Sequence, residues 1–361
     1  MLKQTIAPTQ FASDIDQPSA DQSATDRIPA AQPLQPLAAA EAAPGPKPAL
    51  VETSPRRIGV ELEFAKLGVA EAARIVARIF RGELTQSEPH AAVVESARDG
   101  SFKILLDTRH AQKCATDTQT VEEMRRWFGD VASLVVPVEI ACPPLPESRL
   151  GDVERLIEEL RSAGAEGTNA ALLYAFGTHL NIEIKEVGVA HILNTLRAYL
   201  LLEEWLRAQI DVNPTRSAIG FEARFPLEFQ RQVLSPDYQP DKDALIADYV
   251  HANPTRNRGL DLLPVLAHLD ETAIEALLPQ EKASPRPAYH YRLPNCAVDE
   301  PSWRIRDELA LWGRVEKLAA DPEELRRAME RFQLESGWLS SGERAATSLA
   351  LGERLSRESA G

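Results

Sequence analysis

The pattern of apolar and polar residues along the chain predicts strands mostly first and helices mostly later. Alternating or continuous apolar runs indicate strands at 57–65, 83–88, 91–97, 101–107, 134–140, 175–184 and 287–293. Apolar residues at helical spacing indicate helices at 69–81, 119–128, 147–164, 191–210, 226–234, 242–251, 258–268, 271–278, 301–319 and 322–332. We therefore expect an α+β fold, in which an antiparallel sheet packs against helices and the C-terminal part is helical.

Two ends of the chain differ from the middle. Residues 1–55 are rich in Ala, Pro, Gln and Ser, and such a segment buries too little apolar surface to offset its ordering entropy. We predict a disordered leader there. Residues 56–335 are expected to form one folded domain, and residues 336–361 a tail that is partly helical.

Acidic residues outnumber basic ones, with 54 Asp and Glu against 40 Lys and Arg and a net charge of −14. This excess disfavours nonspecific binding to nucleic acid or to anionic membranes, so neither is an expected partner. Cys114, Cys142 and Cys296 form no CxxC pair, which argues against a zinc knuckle and a disulfide framework. Since no apolar run spans a bilayer and the N-terminus lacks the apolar core of a signal peptide, the expected location is cytoplasmic.

Two glutamates share one face of the first predicted strand. In RRIGVELEFAK, residues 56–66, apolar residues alternate with Glu61 and Glu63. Because successive side chains of a strand point to opposite faces, both carboxylates leave the same face. They belong either to a solvated acidic face or to a site where a divalent cation neutralises them.

A second strand repeats this pattern. In GTHLNIEI, residues 177–184, His179, Asn181 and Glu183 occupy one face and apolar residues the other. A single histidine on a strand is often a structural hydrogen-bonding residue. Three polar groups in line beside an apolar row make a ligand role equally reasonable, with Glu183 near the strand end and beyond the site.

Two further acids stand at strand positions. Glu139 lies inside the apolar run LVVPVEIA, so it either points to an exposed edge or meets a cation or an arginine. Asp107 ends the strand FKILLD, where aspartate is also common for purely local turn chemistry.

Basic candidates come late in the chain. NPTRNRGLDLLP contains Arg256 and Arg258, and YHYRLPN contains Arg292. These arginines fit either ordinary ion pairs or phosphate binding, which suits a planar guanidinium. The chain has neither GxxxxGK[ST] nor GxGxxG, so any ATP binds without a P-loop or a Rossmann turn.

Taken in order, these segments resemble the amidoligases, relatives of glutamine synthetase and glutamate–cysteine ligase. The resemblance covers roughly residues 56–320 and rests on GVELEF, the Asp-Thr pair at a strand end, VPVEIACPPL, GTHLN, NPTRNRGLDLLP and YHYRLPN. It implies a curved antiparallel sheet of the glutamine-synthetase catalytic-domain type, with the site on its concave face. It also implies a ligase that uses ATP and Mg²⁺ (or Mn²⁺) to join a carboxylate and an amine on amino-acid or peptide-like substrates.

The resemblance also implies roles for individual residues. Metal ligands would be Glu61, Glu63, Glu139 and His179. Nucleotide contacts would come from His179, Asn181, Arg258 and Arg292. Asp107 would hold the incoming amine, and Arg258 and Arg292 would clamp the transferring phosphoryl group.

One position departs from the family pattern. The last strand of the superfamily usually reads Glu-Phe-Arg, whereas this chain has His290-Tyr291-Arg292. Imidazole is a poor ligand for Mg²⁺ and a good one for Mn²⁺ or Zn²⁺. Two other functions therefore remain open, a metal-dependent hydrolase and a nucleotide-binding scaffold that no longer catalyses.

Overall fold

The computed structural model describes residues 55–107, 136–170, 174–184, 186–218, 220, 222–281, 283–336 and 341–358. The predicted helix at 119–128, the first two residues of the predicted strand at 134–140 and the leader through residue 54 lie outside them. Within the predicted tail at 336–361, residues 337–340 and 359–361 also lie outside the described residues.

The described residues form an open antiparallel sheet of nine strands. The strands are β1 Arg57–Phe64, β2 Glu83–Glu88, β3 Ala91–Ser96, β4 Gly100–Leu106, β5 Val138–Ala141, β6 Leu145–Pro146, β7 Thr178–Glu183, β8 Leu260–Asp261 and β9 Ala288–Tyr291. Their order is β2-β3-β4-β5-β1-β7-β9-β8, and β6 pairs with β1 beside this path. The expected antiparallel sheet is confirmed, with β1 at its centre.

The helices of the described residues mostly follow the sheet strands in the chain. They are α1 Val69–Phe80, α2 Leu150–Ser162, α3 Val189–Ile210, α4 Pro214–Ala218, α5 Leu227–Val233, α6 Lys242–Ala252, α7 Leu263–Leu269, α8 Glu271–Leu277, α9 Ile305–Ala319, α10 Pro322–Ser336 and α11 Ser341–Glu358. None of these described helices has the length and apolar character needed to cross a bilayer.

One face of the sheet is apolar and covered by helices. On β1 this face carries Ile58, Val60, Leu62 and Phe64, each at most 1% exposed. Burying such side chains stabilises the fold by roughly 1.5–3 kcal/mol each. At the β9 end the covering helices are α9 and α3: the ring of Tyr289 lies 5.6 Å from that of Trp312 on α9, and its hydroxyl donates to Thr195 on α3. The opposite face is therefore free to carry polar groups.

The tail helix α11 packs against the central helix α3. The backbone N–H of Trp205 donates to Ser348 Oγ at 3.2 Å. A Cβ added at Gly352 would lie 2.1 Å from the Trp205 ring, so only glycine allows this approach. Leu351 and Leu355 are buried beside it.

The segment predicted as a helix at 258–268 differs in its first half. Leu260 and Asp261 form β8 against β9, and α7 begins at Leu263. The apolar run GLDLLPVLAHL is compatible with either element, and pairing with β9 decides its first residues. Asp261 Oδ1 accepts the backbone N–H of Leu263 at 3.0 Å, which marks the transition from strand to helix.

Candidate functional site

The strand register brings the predicted polar residues together on one face of the sheet. Glu61 lies opposite His179 of β7, and Glu63 lies opposite Glu139 of β5. Asn181 lies opposite His290 of β9. Directly opposed residues of antiparallel strands point to the same face. Side chains of β5, β7 and β9 therefore lie on the same face of the sheet as Glu61 and Glu63.

Glu61 is the centre of the first group of contacts. Asn181 Nδ2 donates to its Oε1 at 2.8 Å. His179 Nδ1 lies 2.9 Å from its Oε2, and His290 Nε2 lies 3.5 Å from the same oxygen. Ligand atoms of Glu61, His179 and His290 all lie within 4.8 Å of one another, as a metal-binding group requires.

His290 is held by the buried Asp261 and the half-buried Arg256. Its Nδ1 lies 3.2 Å from Asp261 Oδ2, and that carboxylate accepts from Arg256 Nε at 3.0 Å. Asp261 is fully buried. Burial favours its protonated form, but its interactions with His290 and Arg256 hold the pKa of the carboxyl below its ordinary value. The carboxylate at Nδ1 orients the ring so that Nε2 faces Glu61.

Glu63, Asp107 and Glu139 form a second group of three. One carboxylate oxygen from each lies within 4.8 Å of those of the other two. Glu63 is buried and Oε2 accepts the backbone N–H of Gly177 at 2.6 Å. Asp107 follows β4 and is held by a bond from its backbone N–H to Pro137 O at 2.9 Å. This group offers oxygen ligands, which Mg²⁺ prefers.

His179 lies between the two groups. Its Nδ1 faces Glu61 and its Nε2 lies 3.8 Å from Glu63 Oε1. Gly177 makes room for the ring, because a Cβ there would lie 2.9 Å from His179 Nε2 and 2.8 Å from Arg216 Nη2. The hydrogen bond to Glu61 and the close approach of Gly177 therefore fix the position of the imidazole.

The protonation states suit a cation. Burial opposes ionisation of Glu61, yet its interactions with His179 and His290 hold the pKa of the carboxyl well below its ordinary value. Burial, together with the charge of Arg292, lowers the pKa of His179, although Glu63 and Glu61 act in the opposite direction. Metal binding requires a deprotonated carboxylate and a deprotonated imidazole nitrogen, and both shifts are in that direction.

Arg292 borders this face. It directly follows β9, two residues after His290, and its charge acts on both His179 and Asp261. Its Nε is buried and has no hydrogen-bond partner within the described ranges. Its backbone is fixed by Arg216, whose Nη2 donates to Arg292 O at 2.7 Å. Arg216 is itself 1% exposed.

Arg258 has other contacts. Its Nε donates to Asn253 Oδ1 at 2.9 Å, and its Nη1 to the backbone oxygen of Arg224 at 2.6 Å. The guanidinium also lies 5.7 Å from the centre of the Phe225 ring. It is Arg256, two residues earlier, that contacts Asp261 and His290. The predicted phosphate contact of Arg258 stays a prediction.

Sequence reasoning missed the supporting residues Asp261 and Arg216, and it named Arg256 as a candidate for an ion pair or for phosphate binding without identifying its partner. A signal for Asp261 exists, since it is a charge inside the apolar run GLDLLP, as Glu139 is inside VPVEI. Arg216 carries no such signal, because its role depends on carbonyl groups about eighty residues later in the chain.

A family model described as "putative amidoligase enzyme" matches residues 54–313, more than two thirds of the chain. The chain belongs to the amidoligase family. Searches of curated proteins and of solved structures gave no match. The resemblance read from the motifs is thereby confirmed, and the family name indicates an enzyme with ligase activity. Every site residue named above lies in the matched region, and α10 and α11 lie beyond it.

Proposed function

We propose that this amidoligase is an ATP-dependent carboxylate–amine ligase that acts through an acyl phosphate on amino-acid or peptide-like substrates. One observation carries the proposal: in a member of this family, two groups of metal-ligand side chains converge on one face of β1. The proposal includes a curved sheet of the glutamine-synthetase type, with these groups on its concave face.

The residues fit a divalent cation on two counts. The second group, Glu63, Asp107 and Glu139, supplies oxygen ligands. His290 Nε2 and Asn181 Oδ1 are buried polar atoms with no hydrogen-bond partner in the described part of the chain. Such atoms are costly to leave unsatisfied, so a bound ion or ligand group at this face explains them.

We assign the cation-binding role to Glu61, Glu63, Glu139 and His179, with Mg²⁺ or Mn²⁺ as the expected ions beside ATP. A bound divalent cation neutralises phosphate charge that develops during transfer. Asn181 would hold Glu61 in position by the hydrogen bond it already makes.

Arg292 is the arginine best placed for the transferring phosphoryl group, since it follows β9 beside His290. The substrate carboxylate attacks the γ-phosphorus of ATP, the bond to ADP breaks, and an acyl phosphate forms. Arg292 stabilises charge on the transferred group with its guanidinium N–H groups. Arg258 can take this role only if nucleotide binding breaks its hydrogen bonds to Asn253 and to the backbone oxygen of Arg224.

Asp107 is proposed to bind the amine. It lies at the end of β4 and is less buried than Glu63. Its carboxylate attracts the ammonium form and accepts a proton as nitrogen attacks the acyl carbon. The carbon–oxygen bond to phosphate then breaks, which releases phosphate and the amide. Water must be excluded at this stage, because it competes for the acyl phosphate.

The test is a substrate screen. Purified protein is incubated with ATP, Mg²⁺ or Mn²⁺, pooled amino-acid carboxylates and pooled amines. We expect release of ADP and phosphate that needs both pools, a product mass equal to the two substrates minus water, and a hydroxamate when hydroxylamine replaces the amine. ATP that binds without turnover under any of these metals would instead indicate a scaffold.

A metal-dependent hydrolase is the second candidate, and the first group of ligands favours it. Two imidazoles and one carboxylate are a ligand set that catalytic zinc sites use to activate water. If the protein cleaves amide or peptide substrates in the presence of metal and without ATP, the hydrolase is favoured over the ligase.

A further inference from the structure

Glu61, His179 and His290 differ chemically from the other ligand group on the same face. They offer two nitrogen atoms and one oxygen, whereas Glu63, Asp107 and Glu139 offer only oxygen. Nitrogen ligands favour transition metals of the Mn²⁺ to Zn²⁺ series, and oxygen ligands favour Mg²⁺. The two groups are therefore not interchangeable.

The distances between the ligand atoms are those of a compact metal site. A metal ion with bonds of roughly 2.0–2.1 Å holds neighbouring ligand atoms roughly 3–3.5 Å apart. Glu61 Oε2 lies 2.9 Å from His179 Nδ1 and 3.5 Å from His290 Nε2. One carboxylate oxygen thus already faces both nitrogen atoms at nearly the required separation.

Each histidine also has a second carboxylate behind it. His290 Nδ1 lies 3.2 Å from Asp261 Oδ2, and His179 Nε2 lies 3.8 Å from Glu63 Oε1. A carboxylate at the far nitrogen is the usual support of a metal-binding histidine, because it fixes the tautomer and orients the ring. Asp261 is in turn held by Arg256.

Hydrogen bonding alone leaves the arrangement incomplete. His179 Nδ1 satisfies Glu61 Oε2, but His290 Nε2 is left without a hydrogen-bond partner among the residues that the structure describes. His290 is only 4% exposed. His290 Nε2 lies 3.5 Å from Glu61 Oε2, longer than a well-formed hydrogen bond, and a metal ion bound by both atoms would satisfy them.

We propose that Glu61, His179 and His290 form a dedicated site for a transition-metal ion of the Zn²⁺ class, selective against Mg²⁺. This deepens the proposed function, because it replaces Mg²⁺ by a transition-metal ion at Glu61 and His179, and it rests on that function only in placing the site beside the nucleotide. The neighbouring carboxylate group keeps the Mg²⁺ preference, so the sheet face holds two ions of unlike chemistry.

The test measures metal content and ligand type directly. Metal-free protein is dialysed against equal Zn²⁺ and Mn²⁺ in a large excess of Mg²⁺, and bound metal is counted by mass spectrometry. We expect one tightly bound transition ion per chain. Titration with Co²⁺ should give visible absorption bands that indicate nitrogen ligands.

Substitutions assign the ion to this group. His290→Gln should lower Zn²⁺ affinity by more than 100-fold, beyond the 10–100-fold typical of a supporting residue. His290→Glu should retain a site but lose the preference for Zn²⁺ over Mg²⁺. His268→Gln is the matched control, because His268 is exposed on α7 and should bind metal as the unmodified protein does. Thermal unfolding in chelator checks that each variant is folded.

The outcomes separate this inference from the ligase proposal. Equal Zn²⁺ binding by the unmodified protein, His290→Gln and His290→Glu would overturn the inference while leaving amide formation with Mg²⁺ intact. Zn²⁺ binding that depends on His290, without turnover of ATP by any carboxylate and amine, would support the inference and remove the ligase.

Discussion

The polar face of the sheet is closed on one side of β1 and open on the other. Towards β7, β9 and β8, the residues His179, His290 and Asp261 are 6%, 4% and 0% exposed. Towards β5 and β4, Glu139 and Asp107 are only half-buried and Leu105 is 37% exposed. The closed side combines buried polar side chains with buried supporting residues, whereas the described residues of the open side are more exposed to solvent. We expect substitutions on the two sides to have different kinetic effects.

The largest effect is expected at Glu61, where the closed side is centred. Glu61→Gln should lower ADP release at least about 100-fold, because a neutral amide no longer balances a cation beside the phosphates. Circular dichroism should show a retained fold. Glu95→Gln, an exposed position of β3, is the control and should keep its activity. Normal turnover by Glu61→Gln would remove this residue from the site.

On the open side, Asp107→Asn should lower turnover about 100-fold, the lower range for loss of a general base. If Asp107 binds the amine, the KM for the amine rises and metal affinity stays unchanged. If it is instead the third oxygen ligand beside Glu63 and Glu139, metal affinity falls. Steady-state kinetics combined with Mg²⁺ titration distinguishes these two roles.

On the closed side, Asp261→Asn should lower transition-metal affinity about 10–100-fold. The variant keeps nearly the same shape but no longer fixes the Nδ1 proton of His290. Amine KM should be unaffected, in contrast to Asp107→Asn. An unchanged metal affinity would show that Asp261 serves the fold alone.

The closed side also has little room. Gly177→Ala places a Cβ 2.9 Å from His179 Nε2, so the ring must shift and activity should fall about 10-fold or more. Gly313→Ala on α9 is the matched control, since nothing lies within 4 Å of its Cβ position. Both should fold, as measured by thermal unfolding, and equal activity of the two would argue against close packing at Gly177.

The smallest effect is expected at the turn between β3 and β4, which belongs to the open side. Asp99 accepts from Arg149 Nη1 at 2.6 Å, and although its burial acts in the opposite direction, its bonds with Arg149 and Arg98 lower the pKa of its carboxyl. Because its pKa is lower in the folded state, the ionised carboxylate stabilises the fold at pH values above its unfolded pKa of about 3.9. This stabilisation is lost as the pH falls through the folded-state pKa. Asp99→Asn should therefore cost about 1–2 kcal/mol at pH 7 and less than that at pH 3, as measured by denaturant unfolding. An equal loss at both pH values would exclude a charge effect.

Local pattern was enough to predict the face of each strand, and insufficient to predict its neighbours. Alternation in GVELEF and GTHLNIEI places Glu61, Glu63, His179 and Asn181 on polar faces, and the structure agrees. Which strands pair depends on contacts between residues more than a hundred positions apart, such as Glu61 with His179, and no local period contains that information.

The supporting residues were harder to predict for a related reason. The run containing Asp261 fits a helix by local spacing, so its strand pairing with His290 was hidden. Arg256 and Arg258 lie two positions apart in an irregular segment. Neither a helical nor a strand period predicts the direction of their side chains there. In the structure the side chain of Arg256 donates a hydrogen bond to Asp261, and that of Arg258 donates one to Asn253.

Glu61 and Glu63 stand two residues apart on the most central strand, and each belongs to a different ligand group. Their Cα atoms are separated by one pleat repeat, roughly 6.5–7 Å. The spacing between the two candidate ions is thus a property of the main chain, insensitive to changes in any loop. Substitution of an outer ligand in either group would thus change the preferred ion and leave the spacing of the two sites unchanged.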